Sequence, residues 1–195
     1  MNDGLHPLDR FACGPAAPIG ALMWGLAEAT LFFIVPDVIL TVIACRSLRA
    51  AGKATLLAIL GALCGGMIMY VAAGASPEAL RSTLLHIPGI SSPLVERVQA
   101  QLSERGLLAV LIGPTEGVPY KIYAVEWGAS HGEWQPFLLI SIPARGIRFL
   151  LGVLLAGGIA RLIAPWTKRR ANVELAILVA FWLGFYTFYF RHFGG

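Results

Sequence analysis

Charge is sparse in this sequence: 15 Lys and Arg and 11 Asp and Glu make 13% of 195 residues, about half the share of a soluble domain. No basic stripe interleaves with aromatics, which excludes a nucleic-acid surface. No metalloprotease, dinucleotide or P-loop signature occurs, so neither a metal nor a cofactor is expected. Cysteine is scarce too. Cys13, Cys45 and Cys64 are an odd set, two of them in or beside apolar runs, which excludes a disulfide framework and a thiolate metal site and leaves them as small core residues. The first 18 residues hold Asp3, Asp9, Arg10 and three prolines, so residues 1–18 read as a polar N-terminal segment and no cleavable signal peptide is expected. Gly128-Ala129-Ser130-His131-Gly132 fits a serine-hydrolase pattern, but no strand signal precedes it and the only later histidine is His192, so an enzyme is not expected.

What the chain has in abundance is apolar length. With 57% hydrophobic residues and a mean hydropathy of +0.72 it reads as an all-α polytopic membrane protein. Five apolar runs, Ile19–Cys45, Ala54–Ala75, Gly106–Trp127, Phe137–Ala164 and Val173–Phe190, are each long enough as a helix for roughly 30 Å of hydrocarbon. Arg46, Arg49 and Lys53 form one basic link and Lys168, Arg169 and Arg170 another. If both are cytoplasmic, an even number of crossings separates them, so one of the three intervening runs does not cross.

Two stretches identify that run and a counterpart. Val35-Pro36-Asp37 and Val118-Pro119-Tyr120-Lys121 lie 83 residues apart, each placing a proline and a charge inside an apolar run. Proline removes a backbone donor and a charge in hydrocarbon is costly, so each predicts a re-entrant hairpin turning at Pro36 or Pro119 beside a wet cavity. The expected organisation is a membrane domain over 19–164: a first repeat 19–75, an interfacial amphipathic linker 76–105 and an inverted second repeat 106–164. A basic loop and C-terminal transmembrane helix follow over 165–195. Within the linker, Ser92-Pro93 should open a surface helix with Leu94, Val98 and Leu102 on one stripe, ended by Gly106.

The ionisable residues at depth are the candidate site. Glu28 lies about 13 Å into its run, too deep to reach water without a cavity. Asp37 should face the same cavity or cap the following half-helix. In the second hairpin Glu116, Lys121 and Glu126 are candidates to pair with one another, with Lys121 the sharpest candidate for an anion or headgroup contact. Arg145 and Arg148, three apart on one helix face, make a phosphate site or, for Arg145, an interfacial anchor. Tyr120 and Trp127 are candidate lining residues. Gly61, Gly65, Gly66 and Gly74 form a small-residue stripe for close helix packing.

With Ala27-Glu28-Ala29, Phe33-Ile34-Val35-Pro36-Asp37-Val38, Gly117-Val118-Pro119-Tyr120-Lys121 and Arg145-Gly146-Ile147-Arg148-Phe149 in that order, the chain resembles the YqaA-like branch of the DedA superfamily, also called the VTT or SNARE-associated family. The resemblance spans about Leu22 to Ile163. It implies a half-transporter of two facing re-entrant hairpins in the bacterial cytoplasmic (inner) membrane, moving undecaprenyl phosphate or a phospholipid in a proton-linked cycle. It places Glu28 and Asp37 among the family's embedded acids, and Lys121, Arg145 and Arg148 where the branch keeps basic residues. Glu116 and Lys121 stand where the wider superfamily usually has arginines. The expected function is a flippase or scramblase with Glu28 and Asp37 relaying protons. The alternatives are a proton-coupled carrier of a small ion and a non-transporting scaffold, and a chain of this size is compatible with a homodimer.

Overall fold

The computed structural model describes residues 7–167 and 171–193, so the basic link Lys168–Arg170 and the topology expectation built on it lie outside the described residues. Among those described, all regular structure is helical. The order is α1 (Pro7–Cys13), α2 (Ala16–Ala29), α3 (Asp37–Arg46), α4 (Leu48–Ala75), α5 (Pro77–Leu85), α6 (Ser92–Arg105), α7 (Leu108–Ile112), a 3-10 turn (Gly113–Glu116), α8 (Tyr120–Ala129), α9 (Trp134–Thr167) and α10 (Ala171–Phe193). Three helices are long and apolar enough to cross a membrane, over Leu48–Ala75, Trp134–Trp166 and Val173–Arg191. Their outward faces carry exposed Leu56, Leu60, Ile68, Leu150, Leu154, Phe181 and Leu183, a surface suited to lipid and costly in water.

The other two apolar runs are broken, and the cause is local. Thr30 Oγ1 donates back to the carbonyls of Leu26 and Ala27 at the end of α2. Proline disfavours helical backbone in the residue before it, so Val35 cannot continue the helix, and α3 restarts after Pro36. In the second run Gly117 takes a left-handed φ of 80° after the 3-10 turn, Pro119 is extended, and α8 starts at Tyr120. Both α3 and α8 are ten residues long, roughly 15 Å, half of what a hydrocarbon crossing needs. Pro143, by contrast, sits inside α9 without ending it.

α4 is the central strut. α2 lies against it at backbone distance: a side chain at Gly61 would meet the Leu22 carbonyl, one at Gly65 the Leu26 carbonyl, and one at Gly25 the Ala58 carbonyl. Gly66 of the same helix lies under the Tyr120 ring of α8, and Gly128 of α8 lies on the Tyr70 carbonyl. α9 packs on α4 and carries α3 on another side, while α10 rests lightly on α3 and α9. The glycine stripe is therefore helix packing on two faces.

The polar N-terminal segment is helical where described, holding α1 and the start of α2. α6 ends at Gly106 as its sequence indicates, with φ 57° there, and its apolar stripe faces the protein. Val95 and Val98 are buried in the same core as Val110 and Tyr123, with Leu94 and Leu102 packed against it. Cys13 and Cys64 are exposed and only Cys45 is partly covered, so the cysteines are not core residues; Cys64 faces outward because its helix turns glycines, not cysteine, to the interior.

Close approach makes a pair of substitutions informative. Gly61→Ala should lower the melting temperature in detergent by several degrees, because the Leu22 carbonyl cannot move aside and overpacking costs about 1–3 kcal/mol. Gly52→Ala, on the same helix with nothing within 4 Å, should leave it unchanged or raise it, since Ala stabilises a helix by about 1 kcal/mol over Gly.

Candidate functional site

The breaks in the two runs meet at one cavity of about 340 Å³. Glu28 enters it from the last turn of α2, Asp37 from the first residue of α3, Lys121 from the second residue of α8 and Arg148 from the middle of α9. Gly117, Val118 and Pro119 form part of its wall, and Trp182, Phe185, Tyr186, Tyr189 and Phe190 of α10 close it from the side. Trp24 Nε1 donates to the Ile34 carbonyl (2.9 Å), fixing the irregular segment 30–36 that carries Asp37 into place. The Val35 N–H donates to Tyr186 Oη (2.9 Å), and Trp182 Nε1 donates to Thr41 Oγ1 (3.2 Å), which tie α10 to α3.

The charges have been taken almost wholly out of solvent: Glu28 is 3%, Lys121 2% and Arg145 0% exposed. Such groups must be paired. Arg145 donates from Nη2 to Glu28 Oε2, linking α9 to α2, and Arg148 Nη2 donates to Asp37 Oδ2 at 3.2 Å, linking α9 to α3. Arg145 is sandwiched between the rings of Tyr120 (5.0 Å) and Phe149 (4.9 Å). These ring faces stand in for hydrogen-bond acceptors, since Nε and Nη1 have none among the described residues.

Lys121 is the exception. Its ammonium donates to the Phe32 carbonyl at 2.6 Å and forms no ion pair among the described residues. Two acids face three bases, which leaves one positive charge in excess. The N-termini of α3 and α8 abut the same cavity, and their macrodipoles add further positive potential.

The remaining candidates fall elsewhere. Glu116, Lys121 and Glu126 do not pair with one another. Glu116 accepts from Arg97 Nη2 (2.6 Å) and Gln101 Nε2 (2.9 Å) on α6. Glu126 accepts from Arg81 Nε (2.9 Å) and Nη2 (2.7 Å) on α5 and from Gln99 (2.9 Å) on α6. Glu126 and, with Glu78, its charge raise the Arg81 pKa above the ordinary value, against an opposing effect of burial. These pairs clamp the linker helices α5 and α6 onto the back of the second broken run. Arg145 and Arg148 do not present one open face: Arg145 lies wholly beneath the cavity wall, so it neither snorkels nor offers a second guanidinium to a ligand. Tyr120 is buried under Gly66 with its hydroxyl donating to Ser141 Oγ (2.9 Å), and Trp127 Nε1 donates to the Glu133 carbonyl (2.9 Å); neither lines the cavity.

The α10 aromatics are site residues that the sequence analysis does not single out, although their spacing carries a signal: Trp182, Tyr186 and Phe190 recur every four residues, and so do Phe185 and Tyr189, which puts them along one flank of a helix.

Removing one partner of a buried pair strands the other. Glu28→Ala should therefore destabilise the protein by about 3–5 kcal/mol in a detergent unfolding titration, and Arg145→Met added to it should restore much of that loss. Arg97→Ala, whose side chain is 46% exposed, should change the same measurement by less than about 1 kcal/mol.

No family model, curated protein or solved structure matches the chain.

Proposed function

We propose that this chain is a membrane translocase whose cavity takes the phosphate-bearing headgroup of a lipid and passes it between leaflets, coupled to proton exchange at Asp37. The excess positive charge of Lys121 carries this reading. A buried cation with no ion-pair partner among the described residues, beside two helix N-termini, is stabilised by an anion that enters. Arg148 supplies the second contact once it leaves Asp37, and two donors from different helices suit the several oxygens of a phosphate. Protonation of Asp37 removes its claim on Arg148, so proton uptake and anion binding favour each other. Glu28 stays with Arg145 and keeps that guanidinium from competing for the ligand.

The same reading treats the two broken runs as re-entrant hairpins of an inverted repeat. α3 and α8 start 83 residues apart, end 83 residues apart and are too short to cross. The long helix of each half packs against the short helix of the other, α4 with α8 and α9 with α3, as a two-fold exchange requires. Sites in such repeats form where the broken helices meet. The order of motifs shared with the DedA superfamily points in the same direction.

Lipid flipping in reconstituted vesicles tests the proposal. Lys121→Gln should slow transfer of a phosphate-bearing lipid at least tenfold with the fold retained, and Asp37→Asn should abolish the acceleration expected on lowering the pH. Unchanged flipping in Lys121→Gln refutes the reading, whereas loss of free-phosphate uptake without any effect on lipid transfer would assign the site to a soluble anion.

A further inference from the structure

A second cavity of about 350 Å³ lies between α3, α9 and α10. Its walls include Thr41, Cys45, Gly152, Ala156, Ile177 and Phe181, so it is almost wholly apolar, and it shares Asp37 and Trp182 with the charged cavity. The two spaces run in tandem along α10. The charged one borders residues 182 to 190 and the apolar one residues 174 to 182, each about 12 Å of helix. On α9 the order repeats: Arg148 stands at the charged cavity, and Gly152, Ala156 and Ile159 follow on the same face along the apolar one. A side chain at Gly152 would stand 3.3 Å from Asp37 Oδ1, so glycine there keeps the passage beneath Asp37 open. Leu155 and Ile159 on the rim are 64% and 54% exposed, which leaves the groove open sideways.

We infer that this groove holds one linear hydrocarbon chain of the same molecule whose anionic headgroup occupies the charged cavity. The inference rests on the headgroup site proposed above and adds the substrate class, an anionic amphiphile with a straight alkyl chain. The occupant follows from continuity and charge: the apolar groove leads away from a site with surplus positive charge, with Arg148 at its head. A groove with scarcely any polar wall suits methylenes and rejects a polar solute. Glu174, buried and paired with Arg46 on α3, closes the far end.

The test measures binding of methyl phosphate and hexyl phosphate to the full chain in a rigid sterol-based detergent, whose own hydrophobe is not a linear chain. Hexyl phosphate should bind at least tenfold more tightly. Ala156→Phe, which fills the groove, should erase that gain while leaving methyl phosphate binding intact, and retained methyl phosphate binding also reports a folded protein. Ile177→Trp, filling the groove from α10, is the second variant should Ala156→Phe fail to fold. A gain below tenfold, or a gain that survives in the folded variants, overturns the inference and leaves the headgroup site standing. Groove-dependent binding of hexyl phosphate with no binding of methyl phosphate would instead overturn the headgroup site, and binding of neither would overturn both.

Discussion

The structure depends on how charge is accommodated in an interior with almost no water. Glu28, Asp37, Arg145, Arg148 and Lys121 would each be untenable alone among apolar side chains. Arg145 and Arg148 lie one turn apart on α9 and reach in different directions, one to the end of α2 and the other to the start of α3. They join the two sides of the Pro36 break to a single long helix. The break can therefore remain open, unsupported by regular backbone hydrogen bonds, without letting the two short helices drift. On the other side of the molecule Arg81 and Arg97 perform the same service for the second broken run, at positions where solvent shares the load.

What these pairs leave over gives the site its chemistry. Lys121 is as buried as its neighbours, yet its partner is a neutral carbonyl. The proposed anion site draws on that surplus cation, and if it binds an anion the protein's stability should rise when the site is filled. The lightly packed α10 matches that role. It borders both cavities and is held to α3 by a hydrogen bond from Trp182 to Thr41 and by the Arg46–Glu174 pair, and to the segment before α3 by the Val35 N–H donating to Tyr186 Oη, an arrangement that can yield laterally while the α2–α4–α8 body stays intact.

The sequence disclosed much of this because prolines and buried charges act locally. Val35-Pro36 and Gly117-Val118-Pro119 set by backbone geometry where α3 and α8 begin, so both breaks were readable at their residues, and so were α6 and its Gly106 stop. Gly61, Gly65 and Gly66 announced close packing, though not that one helix would lean on the first two and a tyrosine ring on the third. The pairing of charges was not readable. Glu116, Lys121 and Glu126 are neighbours in sequence, but the 3-10 turn and α8 direct them to different sides: Glu126 pairs with Arg81 of α5, 45 residues away, Glu116 with Arg97 of α6, 19 residues away, and Lys121 with the Phe32 carbonyl, 89 residues away. Arg145 and Arg148 looked equivalent at a spacing of three; 0% against 25% side-chain exposure separates them, because helix phase alone does not say which neighbour covers which residue. The α10 aromatics have the composition of a membrane-boundary belt, and only packing shows that one flank closes a cavity.

The surplus charge at Lys121 can be measured directly. Only Lys53, Lys121 and Lys168 occur in the chain, so Lys53→Arg with Lys168→Arg leaves one lysine ammonium to label with nitrogen-15. Solid-state dipolar recoupling between that nitrogen and the phosphorus of a bound phosphate-bearing lipid should give a separation of about 4 Å, the span of an ammonium-to-phosphate hydrogen bond. Absence of dephasing, with the ammonium still held at the Phe32 carbonyl while lipid is bound and moved, would contradict the anion site at its root.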